Sequence, residues 1–314
     1  MRIRDKIKVL GNLERKEEYV LNSLEKKVNN GEGLIYINGK GSKKEYNKLN
    51  KRLKDKKVYY ISDTDKDNSN QIKLHSDDIS DKLLELFVYS KYKGNEYFKY
   101  IEKDNNYRKY EKQLAVSYII QILIAYVELE RKLTIGELFT LFTSEETADY
   151  LIRSLEFSED RAELDYYKEE VFKNYDELEE IIYNIQYFLR YFDDLVSNQG
   201  LDLKEIYKQE AVLYIASDDV MFKKFILLTI NSLITDLEMR PEIENKKFNL
   251  VVNNFENGLD KTFLDILDYG EHQGIETELI LQKIAFNNEF VDKLEEKVST
   301  IINIKSNQIS EKIL

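Results

Sequence analysis

Short apolar runs that are typical of buried β-strands occur near both ends of this chain and are almost absent from its middle. The runs are Ile7–Leu10, Leu34–Asn38, Val58–Ser62, Ala211–Ala216, Phe248–Val252, Glu278–Leu281 and Thr300–Ile304. Segments with the apolar spacing of amphipathic helices lie between them. Strands that alternate with helices form βαβ units, because parallel strands need a crossover connection. The sequence therefore predicts an α/β fold with a mostly parallel sheet flanked by helices.

The segment from 89 to 208 has long helical periodicity and very little strand signal. Its predicted helices are Lys112–Arg131, Thr134–Phe142, Glu145–Leu155, Tyr166–Ser197 and Leu203–Tyr207. In the flanking segments, helices are predicted at Glu14–Val28, Lys43–Lys54, Ser80–Tyr89, Val220–Glu238, Asp260–Tyr269 and Asn288–Glu296. We therefore expect two halves of one α/β core, residues 1–88 and 209–314, which are interrupted by an all-helical insertion domain at 89–208.

The composition of the chain excludes several classes of function. The net charge is −12, so diffuse affinity for nucleic acid is expected to be weak, because that affinity comes from lysine and arginine neutralising phosphates. The absence of cysteine excludes disulfides and thiolate metal sites, and with only two histidines we expect no metal site. No apolar run reaches the roughly 20 residues that cross a bilayer, and Met1–Leu10 has no leader pattern. We therefore expect a cytoplasmic protein without a membrane span.

Several glycine- and amide-containing runs follow one another along the two core halves. They are Asn30–Gly41 (NGEGLIYINGKG), Asn249–Phe255 (NLVVNNF), Gly270–Ile275 (GEHQGI) and Leu279–Gln282 (LILQ). Their order and spacing resemble the ATPase domain of the conjugative coupling proteins, the hexameric DNA-transfer ATPases of type IV secretion (TraG/TraD-like, in the FtsK/HerA-type P-loop superfamily). The resemblance covers most of the chain. It implies a RecA-like P-loop core that a helical domain interrupts, and it implies that the helical domain contacts relaxosome proteins and substrates.

The loop after the first predicted strand corresponds to the phosphate-binding loop of the resembled family. The residues of this degenerate loop are Gly11, Glu14, Arg15, Lys16, Glu17 and Glu18. A P-loop needs glycine backbone N–H groups, a lysine for the phosphates and a following Ser or Thr for magnesium. Here one glycine is kept, the lysine is near the expected spacing and no hydroxyl follows it. Each carboxylate at about 4 Å from a phosphate charge would cost about 4 kcal/mol at an effective dielectric near 20.

Three further positions bear on hydrolysis. The family's strand-ending Asp-Glu pair, which holds the metal and positions water, corresponds to Asn253 and Asn254 in this chain. Amides keep the shape of carboxylates but supply neither the charge nor the base. The family's arginine corresponds to Glu271, a charge reversal, while Gln282 retains a polar position. These differences predict a pseudo-ATPase with no catalytic residue and no cofactor.

Two other segments have functional interpretations beside ordinary structural ones. Gly39, Lys40, Gly41 and Ser42 form either an anion-binding loop or a strand-to-helix turn. The tyrosine-rich run Tyr89–Tyr110 either packs between helices or stacks on single-stranded nucleic acid. The cations that would contact nucleic acid are Lys91, Lys93, Lys99, Lys103, Arg108 and Lys109.

The leading hypothesis is a non-hydrolysing, coupling-protein-like component of a conjugative plasmid or mobile element. Its partners would be proteins, such as an active coupling ATPase or a relaxosome component. One alternative is a divergent DNA-translocating ATPase that binds nucleotide through Lys16 or Lys40. The other is a single-stranded DNA-binding module that uses Tyr89–Tyr110.

Overall fold

The structure is a computed structural model that describes residues 6–9, 16–54, 56–73, 106–129, 135–155, 161–193, 199–239, 246–254, 261–281, 294, 300–305 and 308–313. The chain forms two compact units. One consists of Met1–Ile72 together with Leu201–Leu314, and the other is Lys73–Gly200. The sheet-containing unit is therefore discontinuous in sequence, and its two divisions fall earlier than the sequence predicts, at 72/73 and 200/201 rather than at 88/89 and 208/209.

All strands among the described residues belong to one eight-stranded sheet in the first unit. They are β1 (Lys6–Val9), β2 (Gly33–Asn38), β3 (Val58–Ser62), β4 (Val212–Ala216), β5 (Phe248–Asn253), β6 (Ile275–Leu281), β7 (Thr300–Lys305) and β8 (Gln308–Ile313). The strand order is β3-β4-β2-β5-β6-β1-β7-β8. Pairing is parallel throughout except between β7 and β8, which are antiparallel. Every residue of β2, β4 and β5 is buried, as expected when helices cover both faces of a parallel sheet.

Five α-helices connect these strands in the described part of the sheet-containing unit. They are α1 (Lys16–Asn29), α2 (Lys43–Arg52), α8 (Leu203–Lys208), α9 (Val220–Met239) and α10 (Lys261–Gly270), with short 3-10 helices at Lys66–Asn68 and Glu271–Gln273. Apolar side chains of α1 and α2 pack in one cluster with Tyr36, Tyr60 and Tyr214 of the sheet. The connections β1–α1–β2 and β2–α2–β3 run along the strand order toward β3, whereas β4–α9–β5 and β5–α10–β6 run toward β8. Because such crossovers are right-handed, α9 and α10 lie on the other face.

Helix α8 belongs to the sheet-containing unit because Tyr207 anchors it there. The buried Tyr207 ring packs against Phe248 with ring centroids 5.3 Å apart. Its hydroxyl accepts a hydrogen bond from the backbone N–H of Lys246 at 2.9 Å and donates one to the carbonyl of Gln273 at 3.1 Å. The sequence assigns this segment to the helical domain, since periodicity shows that a helix exists but not which sheet it packs against.

The second unit is helical in its described part. Its helices are α3 (Asn106–Glu128), α4 (Ile135–Thr140), α5 (Glu145–Arg153), α6 (Arg161–Lys173) and α7 (Tyr175–Asp193). The helical segment predicted at Tyr166–Ser197 belongs to two helices in its described part, with a break at Asn174. The Asn174 side chain donates to the carbonyl of Glu170 at 2.7 Å, and its own carbonyl accepts from the N–H of Leu178. Asparagine competes for backbone hydrogen bonds in this way at helix ends.

Each strand predicted from the sequence corresponds to an observed strand, with bounds shifted by a few residues at most. The strand β8 is not predicted. The predicted helix Ser80–Tyr89 lies outside the described residues, as does Asn288–Glu296 apart from residue 294. Among the helices that the structure describes, none combines the length and apolarity needed to cross a bilayer. Within the same described ranges, no group of three or more His, Cys, Asp or Glu residues is arranged to hold a metal ion.

Candidate functional site

The carboxyl ends of β2 and β5 lie side by side, with Asn38 paired in register with Asn253. The chain leaves β2 toward α2 on one face of the sheet and leaves the end of β5 toward the opposite face. In open α/β sheets, a crevice for ligands forms where neighbouring connections diverge in this way. Asn253 and Asn254, the two asparagines that the sequence identifies, lie at the point where such a crevice is expected.

The amide of Asn254 connects the end of β5 to two other elements. Its Nδ2 donates to Asn38 Oδ1 at 2.9 Å, at the end of β2. Its Oδ1 accepts a hydrogen bond from Lys16 Nζ at 3.0 Å. Lys16 is the first residue of α1 and is half-buried. The backbone of Asn254 is left-handed, with φ 53°, a conformation that asparagine adopts more readily than most residues. The structure thus brings together Lys16 and Asn254, two residues that the sequence identifies at separate sites.

Gly39 allows the backbones after β2 and β5 to approach closely. Its N–H donates to the carbonyl of Asn253 at 2.8 Å. A Cβ atom at this position would lie 1.7 Å from the carbonyl oxygen of Asn254 and 3.2 Å from Lys223 Nζ. No side chain fits at the shorter distance, so a glycine is required here for packing rather than for an unusual φ.

A buried carboxylate lies beneath the same strand ends. Glu45, in the first turn of α2, is 7% exposed. It accepts three hydrogen bonds, from Tyr36 Oη at 3.0 Å, from Tyr214 Oη at 3.0 Å and from Asn38 Nδ2 at 2.7 Å. Desolvation raises the pKa of Glu45 above its ordinary value, although the three donors oppose that shift. Burial also raises the pKa of both tyrosines, so their hydroxyls remain protonated donors.

The neighbouring amide of Asn253 completes this network on one side. Asn253 is buried, and its Nδ2 donates to the oxygen of Tyr36 at 2.9 Å. No hydrogen-bond partner is present for Asn253 Oδ1 among the described residues. The end of β5 therefore carries a neutral, buried amide.

The loop at residues 39–42 forms a strand-to-helix turn whose backbone donors are all engaged within the protein. The N–H groups of Gly39, Lys40, Gly41 and Ser42 donate to the Asn253 carbonyl, Asn38 Oδ1, the Asn38 carbonyl and Tyr214 Oη, respectively. Ser42 also caps α2, since its Oγ accepts from the N–H of Glu45 at 3.3 Å. An anion cradle needs free N–H groups that point at the ligand. Of the two interpretations of this loop, the geometry favours the strand-to-helix turn, because the backbone donors that an anion would need have partners within the protein.

The carboxylates of Glu17 and Glu18 pair with cations on α2 rather than facing a phosphate site unopposed. Glu17 Oε1 lies 2.6 Å from Lys48 Nζ, and Glu18 Oε1 lies 2.5 Å from an Arg52 guanidinium nitrogen. Both pairs are substantially exposed to solvent. The predicted repulsion of a triphosphate is therefore weaker than three unpaired carboxylates would give. The third carboxylate, Glu14, lies outside the described residues.

Glu271 lies far from the asparagine pair within this chain. It belongs to the 3-10 helix before β6 and so lies at the amino end of that strand. Asn253 lies at the carboxyl end of the parallel neighbour β5, so the two residues are at opposite ends of the strands. Several predicted positions lie outside the described residues: Gly11, Arg15, Gln282, Lys91, Lys93, Lys99 and Lys103. Arg108 and Lys109 lie in helix α3, and the structure describes their backbone but not their side chains.

Sequence reasoning missed Glu45, Tyr36 and Tyr214. The polar helix at Lys43–Lys54 gives no sign that one of its glutamates is buried. The tyrosines in the predicted strands could have indicated a buried acceptor, because a Tyr in the middle of a fully buried strand needs a hydrogen-bond partner for its hydroxyl. Strands β2 and β4 each contain one, and together they require at least one buried acceptor.

The fold is similar to that of solved coupling-protein structures. The bacterial conjugative coupling protein TrwBdeltaN70, in its unbound monoclinic form, aligns at a TM-score of 0.61 and 12% identity over 98% of this chain and 70% of that one. Its trigonal form in complex with sulphate aligns at 0.55 and 13% identity, over 95% and 68% of the two chains. VirB4 of Thermoanaerobacter pseudethanolicus aligns at only 0.48 and 12% identity, over 96% and 78%. No protein-family model and no curated protein sequence matches this chain.

At 12% and 13% identity, the likeness to the two TrwBdeltaN70 structures concerns the fold. It extends over nearly the whole chain, including both sequence segments of the sheet-containing unit. The predicted α/β fold of the P-loop ATPase type is therefore confirmed, and the chain shares its fold with a conjugative coupling protein.

Proposed function

We propose that this chain is a non-hydrolysing, coupling-protein-like component of a conjugative or mobile-element DNA-transfer system, and that it acts by binding other proteins. The fold shared with TrwBdeltaN70 supports the DNA-transfer context. The chemistry of the strand ends supports the non-hydrolysing role.

The observation that carries the proposal is the Lys16–Asn254–Asn38 contact. Magnesium in phosphate-transfer sites is held by carboxylates together with substrate phosphates. The described strand end instead presents two neutral amides, and one of them accepts a hydrogen bond from Lys16. The lysine nearest to the phosphate loop is thus engaged within the protein, and the amides supply neither metal charge nor a base.

A divergent ATPase is the second candidate, and one observation favours it. Lys16 is the first residue of the helix that follows β1, which is where a phosphate-binding lysine stands in a P-loop. In that case the Lys16–Asn254 hydrogen bond would open when nucleotide binds.

A DNA-transfer assay in the native host distinguishes the two candidates. Deletion of the gene for this chain should lower transfer, and expression of the Lys16→Gln variant in the deletion strain should restore it, because glutamine keeps an N–H donor but cannot neutralise a phosphate. The matched control is Lys51→Gln on the exposed surface of α2. Failure of a folded Lys16→Gln protein to restore transfer would favour the ATPase, and unchanged transfer after deletion would contradict both candidates.

A further inference from the structure

An uninterrupted chain of hydrogen bonds runs from the buried Glu45 to Lys16. Glu45 Oε2 accepts from Asn38 Nδ2 at 2.7 Å, Asn38 Oδ1 accepts from Asn254 Nδ2 at 2.9 Å, and Asn254 Oδ1 accepts from Lys16 Nζ at 3.0 Å. It joins α2, β2, the end of β5 and α1. The consecutive elements α1, β2 and α2 are thereby joined to the end of β5, where Asn254 lies 216 residues beyond Asn38.

The two ends of this chain fix its direction. An ionised carboxylate can only accept hydrogen bonds and an ammonium group can only donate them, whereas an asparagine amide has one end of each kind. Asn38 must therefore turn its nitrogen toward Glu45, which leaves its oxygen for Asn254. Asn254 must then turn its nitrogen toward Asn38, which leaves its oxygen for Lys16. Every amide orientation follows from the carboxylate at one end and the amine at the other.

Glu45 is itself held in place by neighbours outside this chain. Tyr36 donates to its Oε1 and Tyr214 to its Oε2. The backbone N–H of Lys40 donates to Asn38 Oδ1 at 3.0 Å, which adds a second reason for the asparagine oxygen to face away from Glu45. The carboxylate therefore cannot turn away from Asn38 without leaving buried donors unpaired, which costs about 1–3 kcal/mol per group.

We propose that Glu45 is a positioning residue that orients Asn38 and Asn254 so that the Lys16 amine is held at the strand ends as a built-in occupant of the crevice. This deepens the proposed function, on which it rests for the role of the site. In this arrangement the crevice is closed by the protein's own cation, and the closure depends on a carboxylate that touches neither Lys16 nor Asn254 in the chain of contacts.

The reactivity of Lys16 toward a small amine-acylating ester, measured by mass spectrometry on the full chain, tests the proposal. The exposed Lys51 serves as the internal reference. In Glu45→Gln one carboxylate oxygen becomes an N–H donor, so the buried end no longer forces Asn38 to turn its nitrogen toward residue 45, and the hold of Asn254 on Lys16 is weakened. We expect Lys16 labelling relative to Lys51 to rise about tenfold, the factor that corresponds to losing one hydrogen bond to a charged group.

Two further variants separate positioning from general loosening. Tyr214→Phe removes a donor from the same buried carboxylate but leaves the path to Lys16 intact, so labelling should stay within about twofold of the wild type, less than one hydrogen bond. Asn254→Ala removes the contact between Asn254 and Lys16 directly, and adding Glu45→Gln to it should cause no further increase. If Glu45→Gln does not fold, Asn38→Ser breaks the middle link and should raise labelling by the same factor.

Two results would overturn the proposal. One is wild-type labelling in a folded Glu45→Gln or Asn38→Ser protein, and the other is an equal increase in Tyr214→Phe. Failure here is distinguishable from failure of the proposed function. ATP hydrolysis by the wild-type chain would contradict the non-hydrolysing role without testing the hydrogen-bond chain of the nucleotide-free protein. Unchanged Lys16 labelling in the variants would remove the positioning role of Glu45 alone.

Discussion

The hydroxyl of Tyr214 donates a 3.0 Å hydrogen bond to Glu45 Oε2. This bond connects strand β4 to helix α2. The Tyr214 ring also packs edge-on against Tyr36, whose hydroxyl donates to the other oxygen of the same carboxylate. The helix α2 is thus positioned by one buried glutamate as well as by its apolar residues. Because Asn38 shares that glutamate, the geometry of the crevice and the packing of α2 are linked.

The first prediction concerns pH. Burial raises the pKa of Glu45, so the folded protein binds this proton more tightly than the unfolded chain. The contribution of Glu45 to stability is therefore fully present below the ordinary pKa of 4.5 and is lost as pH rises through the raised value. Urea unfolding of the wild type and Glu45→Gln should be measured at a series of pH values above 4.5. As pH increases, the free energy of unfolding of the wild type should fall relative to that of Glu45→Gln.

The exposed Glu163 provides a control for the pH prediction, because Glu163→Gln should leave the slope of stability with pH unchanged. A Glu45→Gln protein whose pH dependence matches that of the wild type would show that this carboxyl does not titrate differently in the folded state.

The second prediction compares two glycine substitutions. Gly39→Ala places a Cβ 1.7 Å from the carbonyl oxygen of Asn254, and this clash is with the backbone. We therefore expect the free energy of unfolding to fall by about 1–3 kcal/mol or more, the usual cost of overpacking. Gly270→Ala, at the end of α10, meets its nearest atom at 3.5 Å, which is ordinary contact. Since alanine favours helix by up to about 1 kcal/mol, Gly270→Ala should be neutral or stabilising. Chemical denaturation measures both, and equal effects would contradict the close approach at Gly39.

The third prediction concerns the anchoring of α8. Tyr207→Phe keeps the ring on Phe248 but removes the hydroxyl that accepts from the Lys246 N–H and donates to the Gln273 carbonyl. Leaving these backbone groups unpaired should destabilise the sheet-containing unit by about 1–3 kcal/mol. Tyr183→Phe, at a position 67% exposed in α7, should have no measurable effect. Similar melting curves for wild type and Tyr207→Phe would show that the hydroxyl does not anchor the helix.

The strands β2, β4 and β5 were predictable because all their residues are buried and their sequences are nearly continuous apolar runs. The strand β8 was not, since its sequence, QISEKI, mixes polar and apolar residues as an edge strand does. The helix break at Asn174 was also missed, because apolar periodicity continues across it and the break depends on a local side-chain hydrogen bond.

The candidate site was only partly predictable. The neutral pair Asn253–Asn254 was identified through its place in the motif order, but its contact with Lys16 depends on the register of α1 against β5. Ser42 and Glu45 have the spacing of a capping box, in which the glutamate would fold back on its own helix end. Here Ser42 caps the helix as expected, while the Glu45 side chain is drawn to two buried tyrosines and Asn38. That outcome needs the tertiary structure, because the tyrosines come from strands far apart in sequence.

Thermal unfolding of the intact chain with increasing Mg-ATP tests the central claim, that the crevice does not hold a nucleotide, most directly. A ligand that binds only the folded protein stabilises it by about 2.7 kcal/mol at one hundred times its dissociation constant. We predict no rise in the unfolding midpoint for the wild type or for Lys16→Gln. A saturable rise in the wild type that Lys16→Gln abolishes would contradict the account and identify Lys16 as a phosphate ligand.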